Sequence, residues 1–339
     1  MKKSPLTFAL IGAGGIAQTH LQAFAKTNLA KLVAVVDVRM ESAEAVAAAM
    51  HCKAFQKVAS IPETLGIDAA IVCTPPSTHP EICDQLARRG VHVLCEKPVA
   101  TDLASAIQMI ETAAEAGTMF TMASKFRYVE DMVYAKQLIT SGVLGDILLF
   151  ENTFAGHVDM TKRWNSDPAI SGGGVLIDNG THSVDIVRYL LGPIHSIQTI
   201  EGRRFQNLQV EDTVRIHAKT ILGTLAAMDL SWSINKQTPW YVSIYGTQGT
   251  VLVGWKESKY KRSVDNDWTV FGTGYDKVQA FTRQINNFCN AIHGIEPLLI
   301  TSEDAIASSE AIQQAYESLR KDDWVVLNTS RTTSIRAAS

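Results

Sequence analysis

Short apolar runs alternate with amphipathic stretches through the first 123 residues. The apolar runs predict buried β-strands at Leu6–Ile11, Leu32–Val36, Ala69–Cys73, Val91–Cys95 and Met119–Ala123. The stretches between them predict helices at Ile16–Lys26, Glu41–Met50, Thr78–Arg89 and Asp102–Ala116. Thr78 and Glu81 have the spacing of a capping box. Strands that alternate with helices in this way predict a doubly wound α/β sheet of parallel strands, whose ligands bind beyond the carboxyl ends of the strands.

The rest of the chain has a different pattern, with many β-rich runs between Ile147 and Trp268. They include Ile194–Ile200, Val210–Lys219, Thr224–Trp232 and Trp240–Tyr245, with a turn at Gly246–Gly249. Two helices are predicted after them, at Lys277–Ile292 and Ser302–Arg320. We therefore expect a first domain at residues 1–123 and a second at 124–328. The polar stretch 329–339 lacks periodicity and is predicted to be a disordered tail.

One helix, predicted at Val175–Leu191, combines an apolar back with a chemically unusual front. At about 100° per residue, four polar side chains share one narrow arc: Asp178, His182, Asp185 and Tyr189. Three glycines precede this helix, which allows close approach to its start. The stripe is either a solvated polar face or a carboxylate–imidazole–carboxylate site, and the helix alone does not decide between them.

Composition and charge narrow the functional classes. The 339 residues suit two domains, and 31 basic against 34 acidic residues give a formal net charge of −3. This balance argues against nucleic acid or an anionic membrane as a partner. Five cysteines without a CxxC spacing favour a reducing, cytoplasmic location and argue against a structural zinc site, so no metal is expected. No apolar run approaches the length of a membrane span.

The loop after the first predicted strand fits the dinucleotide-binding pattern G-x-G-x-x-A. It consists of Gly12, Ala13, Gly14, Gly15, Ile16 and Ala17. Gly12 permits the tight turn, Gly14 lets the backbone approach a pyrophosphate, and Ala17 allows close packing of the helix on the strand. Asp37, at the end of the second strand, would accept hydrogen bonds from a ribose diol and repel a 2′-phosphate. NAD is therefore favoured over NADP, although Arg39 nearby could soften that preference.

Two further segments follow predicted strands and should face the same crevice. The first segment follows the predicted strand Ala69–Cys73 and runs from Thr74 and Pro75 to His79. His79 could contact the cofactor or substrate, but a structural role near a helix start is the favoured interpretation. Glu96 and Lys97 form the second, before Pro98, where an ammonium group could hydrogen-bond a reacting oxygen.

These motifs occur in an order that resembles the glucose–fructose oxidoreductase and inositol dehydrogenase (Gfo/Idh/MocA) family. The matching segments are GAGGIA, CTPPSTH, EKP and GGGVLIDNGTH, with Lys125-Phe126-Arg127, Ser141-Gly142 and Leu144-Gly145-Asp146 between them. The resemblance implies a Rossmann domain followed by an α+β domain with a large, mostly antiparallel open sheet. It also implies pairing with another subunit through that sheet, as a homodimer or homotetramer.

The resemblance further implies Lys97, Asp178 and His182 as catalytic residues. His182 is the candidate base because its ordinary pKa lies nearest neutrality. Contacts with a cyclic polyol or sugar are expected from Lys97, Asp178, His182, Asp185, Arg127, His157 and Trp164, with Arg163 and Asn165 nearby. Trp164 could instead be a core residue and His157 an ordinary surface residue. A nucleotide-sugar dehydrogenase or ketoreductase, an NAD-dependent glycosidase that oxidises its substrate transiently, and a non-catalytic NAD-binding regulator remain as alternatives.

Overall fold

The computed structural model describes residues 4–236 and 238–327, and the predicted tail 329–339 lies outside them. The chain forms two compact units. The first contains the chain up to Tyr128 together with residues 277–306, and the second contains residues 129–276 and the chain from Ala307 on. The first unit therefore includes a C-terminal segment that lies outside the predicted range 1–123.

The first unit is built on a six-stranded sheet in which all strands are parallel and follow the order β3-β2-β1-β4-β5-β6. Its strands are β1 Leu6–Ile11, β2 Ala30–Val36, β3 Lys53–Phe55, β4 Ala69–Val72, β5 His92–Glu96 and β6 Phe120–Ala123. Its first helices are α1 Gly15–Phe24, α2 Met40–Met50, α3 His79–Ala87 and α4 Leu103–Glu115. The predicted doubly wound parallel sheet is confirmed.

Two details of this unit differ from the sequence prediction. The three-residue strand β3 was not predicted, because Lys53–Phe55 is too short and too exposed to give a pattern. The predicted capping box is wrong: a 3₁₀ turn at Pro76–Thr78 precedes α3, and the Thr78 hydroxyl donates to the Pro75 carbonyl at 2.7 Å. Thr78 has αR backbone angles and no capping hydrogen bond from its side chain. Asp102, in contrast, caps α4 by accepting from the amide of Ser105.

The remaining helices are α5 Glu130–Thr140, α6 Pro168–Ser171, α7 Val175–Leu191, α8 Lys277–Ile292 and α9 Ser302–Lys321. Of these, α8 lies in the C-terminal segment 277–306 and joins the first unit through an aromatic core. Phe288 of α8 packs edge-on against Phe8 of β1, which in turn packs against Phe24 of α1. Burial of such large aromatic side chains gives α8 a strong preference for this unit. The pattern along the chain predicts the helix but carries no information about which sheet it covers.

The second unit contains a nine-stranded sheet with the order β14-β13-β12-β11-β7-β10-β9-β8-β15. Its strands are β7 Ile147–Ala155, β8 Ile194–Glu201, β9 Thr213–Thr220, β10 Leu225–Ser231, β11 Trp240–Gly246, β12 Gly249–Gly254, β13 Ser258–Arg262, β14 Thr269–Gly272 and β15 Val325–Val326. Within the described part of this sheet, only the pairing of β7 with β10 is parallel. The expected large, mostly antiparallel sheet is confirmed, as is the tight turn between β11 and β12.

Helix α7 lies on one face of this sheet, against β7, β9 and β10. Side-chain hydrogen bonds attach it there: Ser183 donates to Asn152 of β7, and the Asn179 amide donates to the Phe154 carbonyl at 3.2 Å. Apolar side chains such as Leu149 and Leu225 are half exposed and pair in register on β7 and β10. Within the described ranges, no helix is both long and apolar enough to cross a bilayer.

Candidate active site

The glycine-rich loop combines one glycine that the fold requires with two that leave open space. Gly12 has φ +94°, and a Cβ there would lie 2.9 Å from the Cys73 carbonyl carbon. Gly14 and Gly15 are exposed, and a Cβ at either position would meet no described atom within 4 Å. Among the described side chains, none caps the start of α1 at Gly14. The first amides of this helix therefore remain available to an anion, as the predicted pyrophosphate contact requires.

Asp37 lies at the end of β2, directly beside this loop. Its Oδ2 accepts from the amide of Ala13 at 2.9 Å, and its Oδ1 accepts from the amide of Arg39 at 2.9 Å. These bonds fix the carboxylate next to the loop. The Arg39 guanidinium is largely exposed and lies 3.8 Å from Asp37, so it is a loose neighbour of the carboxylate.

Lys97 follows β5 and is half buried, and its peptide bond to Pro98 is cis. The preceding residue, Glu96, is buried and pairs with His20 of α1, with 2.9 Å between Glu96 Oε1 and His20 Nε2. The Lys97 amide donates to Glu96 Oε2 at 3.3 Å. Burial alone would raise the pKa of Glu96, but the hydrogen bond and charge of His20, with the ammonium groups of Lys97 and Lys125, lower it. The Glu96 carboxylate is thus ionised beside the lysine.

Sequence reasoning missed the role of His20 because nothing in the pattern of α1 separates it from an ordinary polar helix residue. Its ring is fully buried and packs edge-on against Phe281 of α8 at 4.6 Å. It therefore connects the dinucleotide helix, the EKP segment and α8 within one unit. The pairing of His20 with Glu96 can be recognised only once the fold is known.

His79 is fully buried at the start of α3. Its Nε2 lies 2.8 Å from the Thr74 carbonyl, and its Nδ1 lies 3.0 Å from the Val99 carbonyl. Burial lowers the pKa of His79, although these carbonyls oppose the shift. The imidazole therefore joins the Thr74–Pro75 segment to the segment after Lys97. These contacts favour the structural interpretation over the predicted cofactor contact.

In the second unit, helix α7 spans Val175–Leu191, as the pattern predicts. His182 is 6% exposed, and its ring lies edge-on to Phe154 at 6.4 Å between centroids. Asp185 is fully buried, and the Ser308 hydroxyl of α9 donates to it at 3.5 Å. Asp178 is half buried. A solvated polar face is therefore excluded for His182 and Asp185, since burying such groups costs free energy unless they are paired or functional.

The remaining predicted substrate residues occupy different environments. Arg127 is 5% exposed, and its guanidinium donates to Asp304 at 2.9 Å and to the Leu299 carbonyl at 3.2 Å. These contacts, all within the first unit, favour a structural role over the predicted substrate contact. His157 is exposed, and Trp164 is 42% exposed in a 3₁₀ turn. Trp164 is therefore not a core residue, and its indole face is accessible in the second unit.

The start of α7 reveals a second residue that sequence reasoning missed. The amides of Gly174 and Leu176 donate to the Glu211 carboxylate, which lies between β8 and β9 and is buried. The one signal in the sequence is an acidic pair, Glu211 and Asp212, near the start of the β-rich run Val210–Lys219, and such a pair is too common to identify a contact. Two of the three glycines before the helix now have a structural explanation, since Glu211 occupies the space beside Gly174 and Tyr316 the space beside Gly173.

The first unit has the features that an adenine dinucleotide requires. An open glycine loop, uncapped amides at the start of α1 within the described ranges, and a fixed carboxylate at the end of β2 fit pyrophosphate and ribose respectively. The second unit supplies a buried imidazole and carboxylates on one helix. Such groups suit proton transfer and the binding of hydroxyl groups.

Comparisons with known proteins agree with this division. Residues 6–124 match the model of the oxidoreductase family with an NAD-binding Rossmann fold, and residues 132–252 match the GFO/IDH/MocA C-terminal domain. The chain is 24% identical over 332 residues to inositol 2-dehydrogenase of Rhizobium meliloti, covering 92% of this chain and 96% of that protein. It is 30% identical over 214 residues to glucose-6-phosphate 3-dehydrogenase of Bacillus subtilis, covering 61% of this chain and 60% of that protein.

A solved structure of levoglucosan dehydrogenase in complex with NADH shares the fold. The TM-score is 0.88 at 20% sequence identity, and the match covers 96% of this chain and 99% of that one.

Proposed function

Since this chain belongs to the Gfo/Idh/MocA family of oxidoreductases, we propose that it transfers a hydride between NAD and a ring carbon of a cyclic polyol or sugar. The reaction interconverts a secondary hydroxyl and a ketone. Two of its relatives, inositol 2-dehydrogenase and glucose-6-phosphate 3-dehydrogenase, are named for a cyclic polyol and a sugar, which supports this substrate class.

Within the first unit, the loop at Gly12–Ala17 and the Asp37 carboxylate bind the dinucleotide. The Asp37 charge selects NAD, because it would repel the 2′-phosphate of NADP. When bound, NAD supplies the hydride chemistry, and the protein supplies position and proton transfer.

Proton transfer is assigned to Lys97, Asp178 and His182. His182 accepts the hydroxyl proton as the substrate is oxidised, and returns it when the ketone is reduced. The Lys97 ammonium stabilises the negative charge that develops on the reacting oxygen. Asp178, one turn before His182 on the same arc of α7, orients the imidazole or binds a neighbouring hydroxyl.

The single observation that carries this proposal is the burial of His182 and Asp185 on the polar arc of α7. His182 is 6% exposed in a chain that also carries a complete dinucleotide loop. A regulator that only bound NAD would have no need of a buried imidazole and carboxylates on one helix. An oxidoreductase needs such groups to move a proton.

The test is a screen of the purified protein with NAD or NADP and with five substrate groups: free inositols, free hexoses, simple glycosides, nucleotide-linked sugars and short acyclic alcohols. Formation of NADH with a ring polyol supports the proposal. Activity confined to nucleotide-linked sugars would indicate that alternative. Glycoside cleavage without net NADH would indicate transient oxidation, and binding of NAD without any turnover would indicate a regulator.

We also propose a cytoplasmic homodimer or homotetramer that assembles through the open face of the nine-stranded sheet. The apolar side chains Leu149 and Leu225 pair in register in β7 and β10 and are half exposed. Covering them would remove apolar surface from water, which favours association. Light scattering on wild type and on Leu149→Asp measures this directly: the wild type should be an oligomer and the variant should shift towards a monomer.

A further inference from the structure

The first turn of α7 is held by a residue that is distant in sequence but lies in the same unit. Glu211 Oε1 accepts from the amide of Gly174 at 2.9 Å and from that of Leu176 at 3.1 Å. The Val175 amide donates to the backbone carbonyl of Glu211 at 2.9 Å. Amides at a helix start have no partners within the helix, and here one residue satisfies three in succession.

A second side chain joins this contact from α9. The Tyr316 hydroxyl donates to the same Glu211 oxygen at 2.8 Å. Burial raises the pKa of Glu211 against the opposing effect of these donors, and burial with the nearby Glu211 charge raises that of Tyr316. The carboxylate thus lies in a dry environment where its hydrogen bonds are strong and their loss is costly.

Two of the three glycines make this approach possible. A Cβ on Gly174 would lie 2.0 Å from the Glu211 carbonyl oxygen, and a Cβ on Gly173 would lie 1.9 Å from the Tyr316 hydroxyl. Neither position can hold a larger residue without displacing Glu211 or Tyr316. The glycines therefore serve a contact within the protein, and the start of α7 is built around Glu211.

The turn that Glu211 holds leads directly into the proposed proton-transfer residues. The Asp178 amide bonds to the Gly174 carbonyl at 3.1 Å, and His182 follows one turn later. We propose that Glu211, supported by Tyr316, is a positioning residue that sets the placement of Asp178 and His182 for the reaction. This inference rests on the proposed function, and it adds a residue that acts through the helix backbone.

A purely structural Glu211 would affect stability and leave chemistry intact, so the test must separate the two. Glu211→Ala removes the acceptor, while Glu211→Gln keeps an oxygen where Oε1 accepts from Gly174 and Leu176. The matched control is Ile244→Ala, a fully buried residue of β11 in the same unit that makes no hydrogen bond to α7 through its side chain. We expect this change to lower stability, and Ile244 takes no part in the contacts described above at the start of α7.

We expect Glu211→Ala to lower kcat by about tenfold or more, because displacement of reacting groups by an ångström can reduce rates by about 10²-fold. Its KM for NAD should be unchanged, since the dinucleotide residues belong to the other unit. Glu211→Gln should recover most of kcat. Ile244→Ala should keep kcat when assayed at a temperature well below its Tm.

Hydrogen exchange of the peptide spanning Gly174–His182 provides a readout that needs no substrate. Glu211→Ala should exchange faster there, while Glu211→Gln and Ile244→Ala should match the wild type. Unchanged exchange in Glu211→Ala, unchanged kcat, or an equal loss of kcat in Ile244→Ala would overturn the inference. A wild type without any dehydrogenase activity would instead refute the proposed function, and the exchange measurement would still decide whether Glu211 orders α7.

Discussion

Two glycines of the same loop should respond in opposite ways when each is replaced by alanine. Gly12 has φ +94°, and a Cβ there would lie 2.9 Å from the carbonyl carbon and 3.0 Å from the carbonyl oxygen of Cys73. Gly14 has φ −72° and ψ −166°, which alanine adopts readily, and open space surrounds its Cβ position. Gly12→Ala should therefore damage the fold, and Gly14→Ala should damage only the binding of NAD.

The magnitudes follow from these geometries. An alanine with left-handed backbone angles costs about 1–2 kcal/mol, and a contact that forces backbone to shift costs about 1–3 kcal/mol more. Gly12→Ala should then lose about 2–5 kcal/mol of the free energy of unfolding, which corresponds to a fall in Tm of order 10 °C for this size of domain. Gly14 is the residue before the first turn of α1, where replacing glycine by alanine costs less than about 1 kcal/mol.

Thermal unfolding and titration with NADH measure the two effects separately. Gly14→Ala should keep its Tm but bind NADH at least about tenfold more weakly, a loss of about 1.4 kcal/mol, because under the proposed assignment the new methyl group would meet the phosphates of the dinucleotide. Wild-type affinity in Gly14→Ala would refute the assignment of this loop to the pyrophosphate. A wild-type Tm in Gly12→Ala would refute the steric reasoning.

Four further outcomes follow from the proposed roles. Lys97→Ala should bind NAD normally but lower kcat by about 10²-fold or more, and near-normal turnover on the true substrate would exclude its role. Asp37→Ala should raise kcat/KM for NADP relative to NAD, and an unchanged ratio would assign the preference elsewhere. His182→Ala should lower kcat by about 10²-fold or more, whereas near-normal kcat would move the base role to Lys97. Because the pKa of Glu96 is lowered from its ordinary 4.5, its ionised form stabilises the protein above that pH, and the contribution is lost as pH falls through the folded value. Glu96→Gln should therefore lower stability at neutral pH and flatten its acid dependence in urea unfolding, and parallel curves for variant and wild type would contradict this.

The local pattern of apolar and polar residues was sufficient to predict the helices and strands that bury one or both of their faces. Parallel strands such as β4 are continuous apolar runs, and α7 has both a clear apolar back and glycines at its two ends, so its bounds could be predicted to the residue. The glycine loop and Asp37 could be predicted for a related reason. Their chemistry depends on residues that are close in sequence and on strand ends that any parallel sheet brings together.

Contacts between distant segments could not be predicted in this way. The pairing of His20 with Glu96, the contact of Glu211 with α7, and the assignment of α8 to the first unit all depend on packing that periodicity does not encode. Arg127 illustrates the same limit, because the sequence alone does not tell whether a basic residue after a strand binds a ligand or an acceptor within the protein. In the structure, Asp304 and the Leu299 carbonyl already accept its hydrogen bonds.

The structure also changes the argument for a polyhydroxylated substrate. From the sequence, both Asp178 and Asp185 are expected to contact hydroxyl groups of the substrate. Asp185, however, is fully buried and accepts from the Ser308 hydroxyl at 3.5 Å, which favours a structural role over the predicted substrate contact. We therefore expect discrimination against short alcohols to depend on Asp178 and His182, together with the exposed Trp164 in the same unit. An indole face packs against the C–H face of a ring, and a hydrogen bond from a hydroxyl to a charged group contributes about 1.5–3 kcal/mol. We expect these effects together to favour a ring polyol over a chain alcohol in kcat/KM, with no contribution from Asp185.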